Sequence, residues 1–396
     1  DARTLTVTAS GNTTFGAVVG GSGALQTLTT DSAGATLLNG GTVTATTQAY
    51  GDDVKLGANT TLAGSTITFS KSLNGDLTAS LRALTANANL VTTRGGTTGN
   101  SGVLHKLTTD ASGTTLLKSA VTATTQTYKD KVQLGGAATL TATGGTVEFQ
   151  KSVNGDTASA TRALTVNATT TPFTKSVGTG ADEILGNADD RPLLSLTTDA
   201  TGTTRLNGGA ANATTQTYKD AVTLGTHTSF QGTVVKFEST LTPDVSDLQF
   251  VVRATGATTF QGNVGSGAIP FDFFRITGGA ATTIGSSAGA PVTVTAKVAQ
   301  YVDAVTLAND VTIDATTSAS FFSSINADSA SANRALTVNS PDTSFNPPGI
   351  GGIARLGTLT TDSAGSTTIY SNGVSATTQV YNDDVTIFNT TTMTAT

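Results

Sequence analysis

The chain has 396 residues, a formal net charge of −6 and only 12% charged residues. This acidic balance argues against a nucleic-acid-binding protein, because such proteins carry clustered Lys and Arg. No apolar run is long enough to form a membrane-spanning segment, and the 37% of hydrophobic residues argues against a disordered chain.

Strand patterns begin near the N-terminus and recur to the end of the chain. Apolar residues alternate with Thr at 5–8, 43–46, 66–69 and 292–295, a period of two that is typical of β-strands. Pairs such as Gly40-Gly41 and Gly278-Gly279 stand between these segments and interrupt them, because glycine readily adopts positive φ. Helical spacing is absent from the sequence, so we expect almost no helix.

Three phrases repeat about every 80 residues. Ala-Thr-Thr-Gln-x-Tyr ends at Tyr50, Tyr128, Tyr218 and Tyr381, with a weaker copy ending at Tyr301. Leu-Thr-Thr-Asp begins at Leu28, Leu107, Leu196 and Leu359, and Arg-Ala-Leu-Thr begins at Arg82, Arg162 and Arg334. A fixed long period of this kind indicates a stacked array of structural repeats.

A shorter period divides each repeat. One large apolar residue follows each small polar run, and many of the steps from one such residue to the next are nearly equal. These residues are Phe15, Leu38, Leu62, Leu90, Leu117, Leu140, Phe173, Leu206, Phe230, Phe260, Ile284, Ile313, Phe345, Ile369 and Met393. The spacing predicts an all-β fold, a right-handed parallel β-helix (β-solenoid) of about 15 coils of 23–33 residues, with three coils per repeat.

The repeat also predicts the domain organisation. We expect one elongated domain over 1–396, built from about five repeats, with an acidic loop inserted near 175–191. Both ends fall inside a repeat without a polar cap, so we expect a fragment or subunit of a longer array. A string of immunoglobulin-like sandwiches is the alternative, because one such module has about the length of the repeat; the inner period and the absence of Trp disfavour it.

The inserted loop holds the densest cluster of oxygen ligands. Its residues are Asp182, Glu183, Asn187, Asp189 and Asp190. Carboxylate and amide oxygens around a Gly turn suit calcium, although the spacing is not that of a helix–loop–helix calcium site. The two interpretations are a calcium site and a solvated acidic loop; we expect no other cofactor.

The tyrosines that end the first phrase have two interpretations. Each is followed two residues later by an aspartate, namely Asp52, Asp130, Asp220, Asp303 or Asp383. They form either a ladder of ligand-binding aromatics or a strand end with an Asp-stabilised turn, and their repetition favours the structural role. Arg82, Arg162 and Arg334 are expected to be outward surface charges.

Enzyme activity is not expected. Adjacent carboxylates such as Asp52-Asp53 point to opposite faces of a strand, so they do not converge on one substrate. His105 and His227 are isolated in the sequence, and no catalytic residue can be assigned.

The phrases Leu-Thr-Thr-Asp-Ser-Ala-Gly and Arg-Ala-Leu-Thr-Val-Asn resemble those of large repetitive bacterial surface proteins. These are the filamentous-haemagglutinin-like exoproteins and the autotransporter passenger regions. The resemblance implies a non-enzymatic structural protein of the bacterial cell exterior: an adhesin stalk, an extracellular filament or a biofilm matrix component. Its expected partners are copies of itself joined end to end and host or matrix glycans or proteins, without nucleic acid or membrane insertion. A carbohydrate-binding or carbohydrate-cleaving β-helix is the alternative.

Overall fold

The computed structural model describes residues 3–76, 82–279 and 281–395. Within these ranges the chain forms 38 strands and no helix, so none of the described residues belongs to a helix that could cross a membrane. The chain divides into two compact units, Asp1–Gly208 and Gly209–Thr396. Each is a parallel β-solenoid, which confirms the predicted fold class; the prediction of one elongated domain stays a prediction.

Unit 1 contains the first twenty strands. They are β1 (Thr4–Val7), β2 (Thr13–Phe15), β3 (Leu25–Thr30), β4 (Ala35–Leu38), β5 (Thr42–Tyr50), β6 (Asp53–Leu56), β7 (Thr60–Phe69), β8 (Leu73–Gly75), β9 (Ala83–Arg94), β10 (Leu104–Thr109), β11 (Thr114–Leu117), β12 (Val121–Tyr128), β13 (Lys131–Leu134), β14 (Ala138–Ala142), β15 (Val147–Phe149), β16 (Val153–Gly155), β17 (Ala163–Asn167), β18 (Thr170–Phe173), β19 (Leu193–Thr198) and β20 (Thr203–Leu206).

Unit 2 contains the remaining eighteen. They are β21 (Ala210–Tyr218), β22 (Ala221–Leu224), β23 (Thr228–Phe237), β24 (Leu241–Pro243), β25 (Gln249–Phe260), β26 (Phe271–Thr277), β27 (Ala281–Ile284), β28 (Val292–Tyr301), β29 (Ala304–Leu307), β30 (Val311–Phe321), β31 (Ile325–Ala327), β32 (Ala335–Asn339), β33 (Asp342–Phe345), β34 (Leu356–Thr361), β35 (Ser366–Ile369), β36 (Gly373–Tyr381), β37 (Asp384–Ile387) and β38 (Thr392–Thr394).

Each turn of the solenoid has three sides, and each side pairs in parallel with the side three places further along the chain. β4 pairs with β6, for example, with Leu38 opposite Leu56. The two sides between them both belong to β5, which bends at the exposed Thr46. Side chains on the inner faces therefore stack in columns from turn to turn, about 4.8 Å apart.

The repeat described by the recurring phrases covers eleven sides, which is three and two-thirds turns. Between Tyr50 and Tyr128 each side is a strand or one half of a bent strand, except for one single-residue bridge at Thr98. Because eleven is not a multiple of three, equivalent residues move by one side per repeat. Tyr50 stacks in a column with Phe69, whereas Tyr128 stacks in another with Phe149.

The predicted count of three coils per repeat and about 15 coils is therefore wrong; the described residues form about 18 turns. The spacing of the large apolar residues gave the wrong number of coils because two different paths around the solenoid take nearly equal numbers of residues. Phe15 to Leu38 is three sides with a long loop, whereas Leu38 to Leu62 is four sides with short corners. Turns also differ in length, since the turn from Gln48 to Ile67 is shorter than the one from Phe15 to Leu38.

The core consists of the predicted apolar residues together with stacked aromatic rings. Most of those residues are no more than 3% exposed, whereas Phe15 is half-buried and Met393 is 42% exposed; the side chain of Leu90 lies outside the described residues. In unit 2, Phe237 stacks between Tyr218 and Phe260, with ring centroids 5.1 and 5.4 Å apart. The columns predicted from the sequence are thus present in both units.

Candidate functional site

Three aspartates of the recurring phrase, Asp52, Asp130 and Asp383, bind threonines of the preceding turn. Asp52 is 1% exposed and accepts hydrogen bonds from Thr30 Oγ1 at 2.8 Å and Thr36 Oγ1 at 2.8 Å. These threonines belong to β3 and β4, which pair with the strands on either side of Asp52. One carboxylate therefore fastens two sides of one turn to the next.

The same clamp recurs in other turns. Asp130 binds Thr109 and Thr115, and Asp383 binds Thr361 and Thr367. Burial raises the pKa of Asp130 from its usual 3.8 to about 6, although the threonine hydrogen bonds oppose the shift. Burial thus disfavours the charged form of Asp130, whereas the threonine hydroxyls stabilise it.

A glutamine and the tyrosine of the phrase form a second internal contact. Gln48 Nε2 donates to the carbonyl of Val43 at 3.3 Å and to that of Ala63, in the next turn, at 2.9 Å. The Tyr50 hydroxyl donates to Gln48 Oε1 at 2.9 Å. The glutamine amide thereby satisfies carbonyl groups near the bend of β5, as buried polar groups require.

The turn of Tyr301 lacks this pair. Ala299 occupies the place of the glutamine, and Ile276 the place of the first clamp threonine. Within the described part of the chain, the buried Tyr301 hydroxyl has no hydrogen-bond partner, and Asp303 Oδ1 accepts from the Gly279 amide at 2.8 Å instead. The turn of Tyr301, whose sequence matches the recurring phrase less well, therefore also lacks the internal hydrogen bonds of the other copies.

These contacts decide between the two interpretations of the tyrosines. Tyr50, Tyr128, Tyr218 and Tyr301 are 0% exposed, so they cannot form a ladder of surface aromatics, and the structural interpretation is confirmed. Their burial raises the pKa of the phenols of Tyr50, Tyr218 and Tyr301. The Asp-stabilised turn in that interpretation is not what Asp52, Asp130 and Asp383 form, because their carboxylates bind threonines of the preceding turn.

The recurring arginines lie at the surface, as predicted, and each binds an aspartate six residues earlier. Arg82 pairs with Asp76 and Arg162 with Asp156, through Nε and a terminal nitrogen in each case. The same bidentate pair joins Arg334 to Asp328. Each arginine directly precedes an Ala-Leu-Thr strand and has its own aspartate as an ion-pair partner.

No arrangement of catalytic groups is seen among the remaining candidates in the described ranges. Asp52 points inward, whereas its neighbour Asp53 accepts from the Ser72 amide at 3.1 Å, so the adjacent carboxylates diverge as predicted. His227 Nδ1 accepts from the Gln249 amide at 3.0 Å, and His105 is exposed on β10. The expectation that the chain is not an enzyme stays a prediction.

The acidic loop lies between β18 and β19, and its carboxylates are directed at its own backbone. Asp189 Oδ2 accepts from the amides of Ala181 at 2.8 Å and Asp182 at 3.3 Å, which lowers the Asp189 pKa. Asp190 Oδ2 accepts from the Gly186 amide at 3.0 Å, and burial raises the Asp190 pKa.

The other three candidate ligands are also held within or beside the loop. Asn187 Nδ2 donates to Asp182 Oδ2 at 2.7 Å, and Glu183 pairs with Lys175 at 3.2 Å. Among the described residues, no group of three His, Asp or Glu side chains is arranged to hold a metal ion. Calcium binding stays a prediction; titration calorimetry with calcium on the intact chain and on Asp189→Ala tests it.

The threonines and glutamines of the clamps were not identified from the sequence. A signal was present, because Thr30 and Thr36 precede Asp52 by the same offsets that separate Thr361 and Thr367 from Asp383. Fixed offsets of this kind indicate contact between successive turns.

Comparison with known proteins gives no match: no family model, no curated protein and no solved structure corresponds to this chain.

Proposed function

We propose that this chain is a non-enzymatic structural segment of the bacterial cell exterior, serving as a stalk or filament module. The observation that carries the proposal is that the recurring polar residues serve as internal contacts of the solenoid. Asp, Thr, Gln and Tyr side chains, the groups that a binding or catalytic ladder would present, are buried and bind one another.

The internal contacts favour a mechanical role because they join successive turns. Each Asp clamp adds two charge-assisted hydrogen bonds, which are stronger than neutral ones, between a turn and the one before it. Each glutamine adds another bond to the turn that follows. A chain pulled along its axis must break these bonds as well as the backbone ladder.

The surface composition supports the same proposal. Charged residues are 12% of the chain, against about 25% in ordinary globular domains, and Thr, Ser, Asn and Gly replace them. A weakly charged polar surface permits close lateral packing of neighbouring copies, as in a matrix.

Single-molecule force spectroscopy of the intact chain, held at its two ends, tests the mechanical role. We expect stepwise unfolding at forces that fall in the Asp52→Ala and Asp130→Ala variants but not in Lys55→Ala, which removes an exposed side chain of β6. Unfolding without measurable resistance, or forces unaffected by the clamp variants, would contradict the proposal.

End-to-end assembly and the extracellular location are parts of the same proposal, and the assembly has a test of its own. Electron microscopy of the purified chain over a range of concentrations shows whether copies join into filaments. The carbohydrate-directed alternative is tested by a reducing-sugar assay on polysaccharide substrates, in which release of sugar ends would overturn the non-enzymatic assignment.

A further inference from the structure

An open cleft of about 550 Å³ lies on the outer surface of unit 2, over the paired strands β25 and β26. Gln249 and Arg253 line it from β25, and Phe273 and Arg275 line it from β26. Val251 lies opposite Arg275 in the register, so Arg253 and Arg275 sit two residues apart on adjacent strands. Both arginine side chains therefore line the same cleft.

Neither guanidinium is neutralised by an acid. In the described ranges, Arg275 Nε is buried without a hydrogen-bond partner, and Arg253 Nη1 donates only to the Ser229 hydroxyl, at 3.1 Å. Among the described residues, no carboxylate forms an ion pair with either side chain. This differs from Arg82, Arg162 and Arg334, each of which has its own aspartate.

The two acidic residues near the cleft, Asp247 and Asp272, form ion pairs with a lysine. Lys297 Nζ lies 2.7 Å from Asp247 and 2.9 Å from Asp272, and this lysine holds both carboxylates together. The cleft is therefore a locally cationic site on a chain with a net charge of −6. Because no described acid neutralises the two guanidinium groups, an anion that enters the cleft can form charge-assisted hydrogen bonds with them.

The other groups of the cleft indicate what kind of anion it is. A guanidinium matches a carboxylate through two parallel hydrogen bonds. The half-buried ring of Phe273 offers an apolar face beside them, and the exposed Gln249 amide both donates and accepts. We propose that this cleft binds an anionic oligosaccharide through its uronate carboxylates, with a sugar ring against Phe273.

A nucleic acid is less well suited to the cleft. Long polyphosphates require an extended cationic track, whereas this cleft has two arginines on an acidic chain. The volume also lies within the range of roughly 300–1,000 Å³ that is usual for small-ligand sites. A nucleic acid is therefore an outcome that the experiment must exclude.

Calorimetric titration of the intact chain with oligogalacturonate tests the site, with the fully methyl-esterified oligomer as the neutral counterpart. We expect binding of the acid and none of the ester, with an affinity that falls as salt rises. Oligothymidylate is the third probe, and we expect it not to bind. Binding of the ester as tightly as the acid, binding of oligothymidylate alone, or no binding of any probe would overturn the proposal.

Substitutions assign the binding to the cleft. We expect Arg275→Gln to weaken oligogalacturonate binding at least tenfold, and Arg253→Gln and Phe273→Ser to weaken it severalfold. Arg205→Gln removes the same charge from an exposed strand position in unit 1 and is expected to leave the affinity unchanged. Equal losses in all variants would show charge attraction without a site, and unchanged affinity in Arg275→Gln would place any binding elsewhere; either result overturns the proposal.

This inference goes beyond the structural role and does not depend on it. Force spectroscopy with the clamp variants tests the mechanical segment, whereas the cleft variants leave every Asp clamp in place. Failure of one experiment therefore leaves the other proposal standing.

Discussion

The Tyr218 hydroxyl donates a hydrogen bond to Gln216 Oε1 over 3.0 Å, between two side chains that are both 0% exposed. Tyr301 occupies the equivalent place one repeat later, where Ala299 stands instead of the glutamine and the hydroxyl has no partner among the described residues. The two tyrosines thus form a natural comparison within one unit.

Removing the hydroxyl should therefore have opposite consequences at the two positions. Tyr218→Phe leaves the buried Gln216 oxygen without its donor, and we expect a loss of about 1–3 kcal/mol in the free energy of unfolding. Tyr301→Phe removes an unsatisfied buried group, and we expect the stability to stay equal or rise. Urea unfolding followed by circular dichroism measures both; equal losses would contradict the assigned contacts.

The clamp at Asp130 predicts a pH dependence. Its pKa is about 6 in the folded chain, against 3.8 ordinarily, so the folded state binds more protons than the unfolded state between these values. By linkage, stability falls as the pH rises from about 4 to about 6 and levels off above, by roughly 3 kcal/mol at most.

Asp130→Asn isolates this contribution, because it removes the titrating group and keeps an oxygen for Thr109 and Thr115. The difference in unfolding free energy between the variant and the original chain should shift in favour of the variant between pH 4 and pH 7. A difference that stays constant over this range would show that Asp130 does not titrate as described.

A glycine at a strand bend predicts a steric effect. A Cβ on Gly232 would collide with the Ala213 carbonyl of the preceding turn, next to a register shift in β23. Overpacking usually costs about 1–3 kcal/mol, so we expect Gly232→Ala to lower the thermal midpoint. Gly267→Ala, where a Cβ meets nothing within 4 Å, is the matched control and should leave the midpoint nearly unchanged.

The aromatic column predicts a larger effect. Phe237 is 1% exposed and stacks on both Tyr218 and Phe260, so Phe237→Ala should cost about 3–5 kcal/mol by leaving a cavity. Ile353 is 88% exposed, and Ile353→Ala should change stability by less than about 0.5 kcal/mol. Chemical denaturation of the two variants measures the difference.

The fold class followed from the sequence because strand alternation and a long repeat are both local signals. The number of turns did not follow, because a short corner and a long loop take similar numbers of residues. The path from Phe15 to Leu38 and that from Leu38 to Leu62 differ by one side, yet their lengths are nearly equal. The number of sides is determined from the strand-pairing register and not from the spacing of apolar residues in the sequence.

The internal clamps were not predicted, although the offsets of Thr30 and Thr36 from Asp52 recur at Asp383. An Asp after a strand is typical of a turn, and only the register places Thr30 and Thr36 around Asp52. The cleft depends on register too, because Arg253 and Arg275 are distant in the sequence and come together through the pairing of β25 with β26. Contacts between turns are set by loop lengths, which vary from repeat to repeat.

A disulfide cross-link tests the three-sided register most directly. Thr29 lies opposite Ala49 on the paired strands β3 and β5, about 4.8 Å apart and within disulfide range, and the chain has no native cysteine. We predict that the Thr29→Cys, Ala49→Cys double variant forms an intramolecular disulfide on mild oxidation, as read by peptide mass mapping. The Thr29→Cys, Thr47→Cys variant, offset by two residues to about 8 Å, should not; failure of the first pair, or equal cross-linking of both, would contradict the stacked turns.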